Sequence, residues 1–187
     1  MTEDKTFTKQ NFSKTSLAVD EYENCIFNNC NFSNAILNNI VFTDCEFNDC
    51  NFGLCKIQNT AFKTVNFNNC KIIGVNFNES NPFLLNINFN NCILNLSSFY
   101  QLKLKNKLFN NCNLHEVDFT ETDLSASIFN NCDLKLAIFD RSILIKTNFE
   151  TAKNFSINPE NYKLKGAIFS STNLKGLLNK YQIKIRN

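Results

Sequence analysis

Large apolar residues recur at every fifth position through most of this 187-residue chain. They run through Tyr22, Phe27, Phe32, Leu37, Phe42, Phe47, Phe52, Ile57, Phe62, Phe67, Ile72 and Phe77. After a two-residue slip within Asn78–Phe83 they resume at Phe89, Leu94, Phe99, Leu104, Phe109, Leu114, Phe119, Leu124, Phe129, Leu134, Phe139, Leu144 and Phe149. An amphipathic helix repeats its apolar face every 3.6 residues and a strand every 2, so neither yields a strict period of five. A longer period of twenty is superimposed. Phe27-Asn28-Asn29-Cys30 returns, with one Asn-to-Asp change, from Phe47, Phe67, Phe89, Phe109 and Phe129, and the same spacing reaches Phe7, Phe149 and Phe169. A fixed repeat of this kind predicts a stacked, quasi-one-dimensional architecture.

Two residues before most of the large positions stands a small one, among them Cys25, Cys30, Ala35, Cys45, Cys50, Thr60, Cys70, Ser97, Thr122, Ser127 and Thr147. The order small, often Asn or Asp, Phe or Leu, then two mostly polar residues resembles the pentapeptide-repeat family over roughly residues 5 to 175. The resemblance implies an all-β fold, a right-handed quadrilateral β-helix of about eight coils with a short C-terminal helix/strand cap. Four five-residue sides make one coil, so residues twenty apart would stack at the inter-strand spacing of about 4.8 Å. Phe7 to Phe169 would then line one inner wall. Asn28, Asn48, Asn68, Asn90, Asn110 and Asn130 would form an outer amide ladder. With only four glycines in the chain, Asn is also expected to supply the left-handed corners. Residues 1–169 read as the β-helix, with the insertion near 78–84 as a bulge at one corner, and 170–187 as a capping or dimerisation segment. There Leu174, Leu177, Leu178 and Tyr181 fall at i, i+3, i+4 and i+7, the spacing of one helical face. Ser170, Ser171 or Thr172 could cap that helix, and Ile183 and Ile185 read as a short strand.

Composition narrows the chemistry. Met1–Lys5 carries no apolar stretch, so neither a leader nor a membrane span is expected, and the expected location is cytoplasmic. Nine cysteines could suggest disulfides or metal, but stacked Cβ vectors run parallel, no Cys-x-x-Cys occurs, and the sole histidine, His115, follows Leu114 and faces outward. Cysteine reads as a small apolar filler. No nucleophile–base pair or glycine-rich phosphate loop is present. The expectation is a protein without catalytic residues, metal, cofactor or small-molecule substrate.

Surfaces therefore carry the function. Net charge is only +2, but Asp20, Glu21, Glu23, Asp44, Glu46 and Asp49 occupy a stretch without Lys or Arg, and Glu116, Asp118, Glu121 and Asp123 form a second acidic run. Lys63, Lys103, Lys105, Lys146, Lys163 and Lys165 make another side basic, and Leu136, Ile138, Ile143 and Ile145 suggest an apolar patch. The C-terminal sequence Ile157-Asn158-Pro159-Glu160-Asn161, Leu164–Ser170 and the following leucines resembles the quinolone-resistance (Qnr) branch and its microcin-immunity and mycobacterial relatives. That resemblance implies a homodimer through Leu174, Leu177, Leu178, Tyr181, Ile183 and Ile185. It also implies DNA mimicry towards DNA gyrase or topoisomerase IV, with Asp44, Glu46, Asp49, Glu79, Glu116, Asp118, Glu121 and Asp123 as contacts. No membrane partner is expected, and direct nucleic-acid binding is not favoured. Against mimicry, Gln101 separates Glu79 from Glu121 in their column and Arg141 follows. A generic interaction scaffold remains the alternative.

Overall fold

The computed structural model describes residues 1–184 apart from Ser16, Val19 and Leu84. All described strands pair in parallel. One sheet joins Thr2–Glu3, Glu21–Glu23, Val41–Thr43 and Ala61–Lys63; the other joins Thr6–Thr8, Ile26–Asn28, Glu46–Asn48, Val65–Asn68, Ile87–Asn90, Leu108–Asn110 and Ile128–Asn130. Registers such as Phe27↔Phe47 and Phe109↔Phe129 are twenty residues apart, and Phe67↔Phe89 is twenty-two. Two further columns of single bridges complete the coil, one from Asn11↔Asn31 through Asp133↔Lys153 and one through Asn76↔Ser98↔Asp118↔Ile138. The chain is thus a parallel β-solenoid whose five-residue sides make four walls.

The interior is built from the large and small positions of the repeat. Rings in the phenylalanine column lie nearly parallel, with centroids 4.8 Å apart for Phe27–Phe47, 5.2 Å for Phe47–Phe67 and 5.0 Å for Phe109–Phe129. The backbone ladder sets that spacing, while neighbouring columns meet edge to face, as at Phe47–Phe52. All nine cysteines are buried and free. Burial pushes the Cys45 thiol up to about 11 and the Cys55 thiol up to about 12, which keeps both protonated and unreactive at neutral pH.

The small positions do more than fill space. Cys50, Cys70 and Cys132 donate Sγ–H to the carbonyls of Phe27, Phe47 and Phe109 at 3.2, 3.2 and 3.3 Å. Thr60, Ser97, Thr122 and Thr147 donate hydroxyls to Leu37, Ile72, Phe99 and Leu124 at 2.7, 2.7, 2.8 and 2.9 Å. Reading cysteine as an apolar filler misses this: the position takes small side chains that can donate to the carbonyl of a large residue in the coil below.

The two asparagines of the repeat have separate tasks. The first makes the ladder: Asn48, Asn68, Asn90 and Asn130 donate Nδ2–H to Asn28, Asn48, Asn68 and Asn110 at 3.0, 2.9, 3.1 and 2.6 Å. The second turns the corner, with Asn29, Asn69, Asn91, Asn111 and Asn131 all at φ between 50° and 54°. A left-handed conformation costs an ordinary L-residue about 1–2 kcal/mol, and Asn offsets part of that through local hydrogen bonding.

Two expectations need correction. The insertion is not confined to one corner. A 3-10 turn at Phe77–Glu79 is followed by Pro82, which lacks an N–H and cannot continue the ladder, and the chain resumes pairing only where Asn86 N–H donates to Phe62 C=O at 2.9 Å. Leu85 packs on the core in this wall, while Phe83 projects with 73% of its surface exposed. The tail is likewise not one amphipathic helix but two 3-10 turns, Leu174–Leu177 and Asn179–Tyr181. No side-chain cap forms at the first turn, because Asn173 instead donates Nδ2–H to the carbonyls of Phe149, Glu150 and Ala152. Gly176 lies so close to Phe155 that a Cβ there would sit 2.4 Å from the ring, and its carbonyl accepts the Ile157 N–H at 2.9 Å. Packing against the last coil therefore decides the tail's conformation. Ile183 is not in a strand, and Ile185 lies outside the described residues.

Candidate partner-binding surfaces

The N-terminal acidic residues gather around one edge. Glu21 and Glu23 flank Tyr22 on one wall, Asp44 turns the corner at φ 50°, Glu46 stands on the next wall between Ile26 and Asn66, and Asp49 turns the following corner at φ 56°. Two residues that sequence reasoning did not single out join them. Glu3 pairs in register with Glu23, and Asp4 accepts a hydrogen bond from Asn24 in the column that leads to Asp44. The twenty-residue period, applied back from Glu23 and Asp44, would have found both. Among the described residues, none of Glu3, Asp4, Asp20, Glu21, Glu23, Asp44, Glu46 or Asp49 makes an ion pair.

The second acidic run is arranged differently. Glu121 accepts from Gln101 Nε2 at 2.6 Å and pairs with Arg141 Nη2 at 2.7 Å. These two partners, Gln101 first, hold its carboxyl below the usual range. Asp123 pairs with Lys105 at 3.2 Å; partial burial opposes ionisation there, but bonds from Ser125 and Lys105 outweigh it and the pKa is lowered. Asp118 lies between Ser98 and Ile138 and accepts the Thr120 N–H at 2.8 Å. Glu116 is an exposed corner at φ 56°. Glu79 sits in the inserted turn and accepts from Asn76 at 3.1 Å. The structure therefore does not bring the eight candidate carboxylates together: Asp44, Glu46 and Asp49 form a band around the rod, and the others are spread along different columns.

His115 is not a free outward group; its Nε2 lies 3.1 Å from Asp133 Oδ2. The expected apolar patch is divided. Ile138 belongs to the wall with Asp118, and Ile143 to the next wall between Asp123 and Lys163, with Asp140 and Arg141 at the corner between them. In the tail, Leu174 and Tyr181 are exposed and Leu177 packs partly on the core. Tyr181 donates its hydroxyl to Glu160 at 2.8 Å, and Lys180 pairs with the same carboxylate. Leu178 is half-buried and Ile183 exposed. A cleft of about 730 Å³ runs between Lys135, Glu150–Phe155 and the tail. Among the described residues no cluster of three or more His, Cys, Asp or Glu side chains is placed to hold a metal, and no helix is long and apolar enough to cross a membrane.

A four-walled rod with filled columns and charged edges defines a repeat protein that presents surfaces. Models of the pentapeptide repeat region and of pentapeptide repeats (8 copies) match residues 20–82 and residues 92–131 and 118–153 respectively. The chain belongs to the pentapeptide-repeat family. No curated protein matches it in sequence. Among solved structures it is similar to a trypsin-treated variant of QnrB1, described as a plasmid-mediated fluoroquinolone resistance protein, with TM-score 0.65, 13% identity and coverage of 98% of this chain and 99% of that one. A second trypsin-treated QnrB1 variant gives TM-score 0.64 at 14% identity with both chains fully covered. Full-length QnrB1 gives 0.54 at 15% identity, covering 97% of this chain and 99% of that one.

Proposed function

We propose that this protein is a non-catalytic binding rod that engages a type II topoisomerase, DNA gyrase or topoisomerase IV, and protects it from quinolones or a related toxin. The observation that supports the reading most is the acidic band Glu3, Asp4, Glu21, Glu23, Asp44, Glu46 and Asp49, whose carboxylates make no ion pair among the described residues and so offer their charge to an outside partner. A protein surface that binds duplex DNA is basic, since DNA carries a negative charge about every 1.7 Å of axis, and an unneutralised acidic edge suits such a surface. The fold likeness to QnrB1 over the whole length is consistent with this partner. Two copies would join through Leu174, Leu177, Leu178, Tyr181, Ile183 and Ile185, extending the rod; the same tail closing one subunit is the alternative arrangement. Action on a topoisomerase would place the protein in the cytoplasm. Titrating purified protein into a gyrase supercoiling assay containing a fluoroquinolone should restore supercoiling; unchanged supercoiling and unchanged cleavage complexes across the titration would refute the reading.

A second reading, a scaffold for some other protein, is favoured by the paired carboxylates Glu121 and Asp123, which break any acidic face along the C-terminal coils. Recovery of a defined non-topoisomerase complex that competes with the acidic band would support it.

A further inference from the structure

The edge diagonally opposite the Asp4–Asn24–Asp44 corner is built in another way. Its corner residues are Asn34, Leu54, Gly74, Leu96, Glu116 and Leu136, all with positive φ, the leucines at 56°, 61° and 60°. Each leucine is largely exposed, at 62%, 57% and 66%. Leucine here is unfavourable twice, in backbone conformation and in solvation, while this chain solves the same problem with Asn at many other corners. Local choices that oppose the fold's own preferences collect at contact sites.

The leucines are also regularly placed. Leu54, Leu96 and Leu136 are two coils apart, about 9.6 Å at the ladder spacing. An α-helix advances about 10.5 Å in seven residues. A partner helix with apolar residues every seventh position would thus meet all three leucines with a drift of about 2 Å over the whole run. Gly74 helps to make the edge continuous: a Cβ there would lie 2.8 Å from Leu54 Cδ2, so the glycine lets Leu54 lie along the edge towards Leu96. Ile36 and Ile138, both exposed, stand beside the row on the wall that follows this corner, level with Asn34 and Leu136. The adjoining wall carries Lys71, Lys135 and Lys153, which make no ion pair among the described residues.

We propose that this edge and the wall beside it are a docking surface for one amphipathic α-helix of a partner protein, with apolar residues at heptad spacing and acidic residues on the flank facing Lys71, Lys135 and Lys153. This surface is independent of the acidic band and of any topoisomerase. The probe is a labelled three-heptad synthetic peptide, helix-stapled, with leucine on the heptad stripe and glutamate on one flank, measured by fluorescence anisotropy. It should bind saturably, with affinity falling about ten-fold or more in Leu54→Asn/Leu96→Asn/Leu136→Asn, as expected for loss of central apolar anchors. Lys135→Glu should weaken it less, and the weakening should grow at low salt. The triple variant should melt above the parent, since Asn suits these corners better; that result also shows that its lost binding is not misfolding. Absence of saturable binding, equal binding of a peptide with scrambled leucine spacing, unchanged affinity of the triple variant, or a lowered melting temperature would each overturn the proposal.

Discussion

The coils before the insertion and those after it follow one backbone plan with different side-chain solutions. Before it, the walls are largely phenylalanine and the corners mostly Asn or Asp: Asn24, Asn29, Asn34, Asn39, Asp44, Asp49, Asn59 and Asn69. After it, leucine takes two of the four walls, while corners fall to Leu96, Gln101, Glu116, Glu121, Ala126, Leu136, Arg141 and Lys146, with Asn91, Asn106, Asn111, Asn131 and Asn154 remaining. The carboxylates differ in the same sense: among the described residues those before the insertion make no ion pair, while Glu121, Asp123 and Asp133 after it pair with a cation or His115 one coil away. The backbone needs only a residue that can turn left at each corner and a side chain that fills each wall. What is placed on the outside is free to vary, and so can carry function.

The widest test of this contrast is in the core. Phe47→Ala, removing a ring stacked between Phe27 and Phe67, should cost about 3–5 kcal/mol, and Leu114→Ala about 2–5 kcal/mol with the smaller mean. Urea unfolding of both variants checks this; a larger loss at Leu114 would mean that aromatic stacking is not what distinguishes the two halves. Asn173→Ala removes the amide that serves three carbonyls at the end of the solenoid and should cost about 2 kcal/mol, with faster amide exchange confined to the last coil and tail.

Corners give smaller effects of opposite sign. Ala126 sits at φ 57°, so Ala126→Gly should stabilise by up to about 1 kcal/mol, whereas Asn69→Ala should destabilise by a similar amount. Thermal melts of the pair decide whether corner strain is concentrated after the insertion. Acid should act on the later coils too. Asp133 is partly buried, which opposes ionisation, but bonds from Asn154 and His115 lower its pKa from 3.8. A depressed carboxyl contributes stability that is present above its unfolded pKa and lost as pH falls through the folded one. Stability should therefore fall below about pH 4, and Asp133→Asn should flatten that fall.

Much of the fold was legible because each five-residue side repeats the same two demands, a wall filler and a corner. Phe27, Phe47 and Phe67 could be stacked on paper and Asn28 assigned to the ladder, since any fixed period places equivalent residues one above another, whereas which Asn turns the corner, Asn29, is visible only in its φ of 54°. The insertion and the tail were not legible for the same reason. Phe83 and Leu85 have no counterpart one coil away, and Leu174 to Tyr181 has helical spacing that Asn173 and Gly176 override through contacts with the last coil. The carboxylates were only partly legible: position in the period predicts which wall Glu121 occupies, but not that Gln101 and Arg141 would both reach it.

The proposed function rests on the same contrast, and one measurement tests it directly. Asp44→Asn/Glu46→Gln/Asp49→Asn and, separately, Glu116→Gln/Glu121→Gln/Asp123→Asn should be compared in the fluoroquinolone-inhibited gyrase supercoiling assay, after melts confirm that both are folded. The account predicts that the first variant needs about ten-fold more protein to restore supercoiling, because its charges are unpaired and available, while the second protects almost as the parent does. Equal loss in both, or loss only in the second, would contradict it.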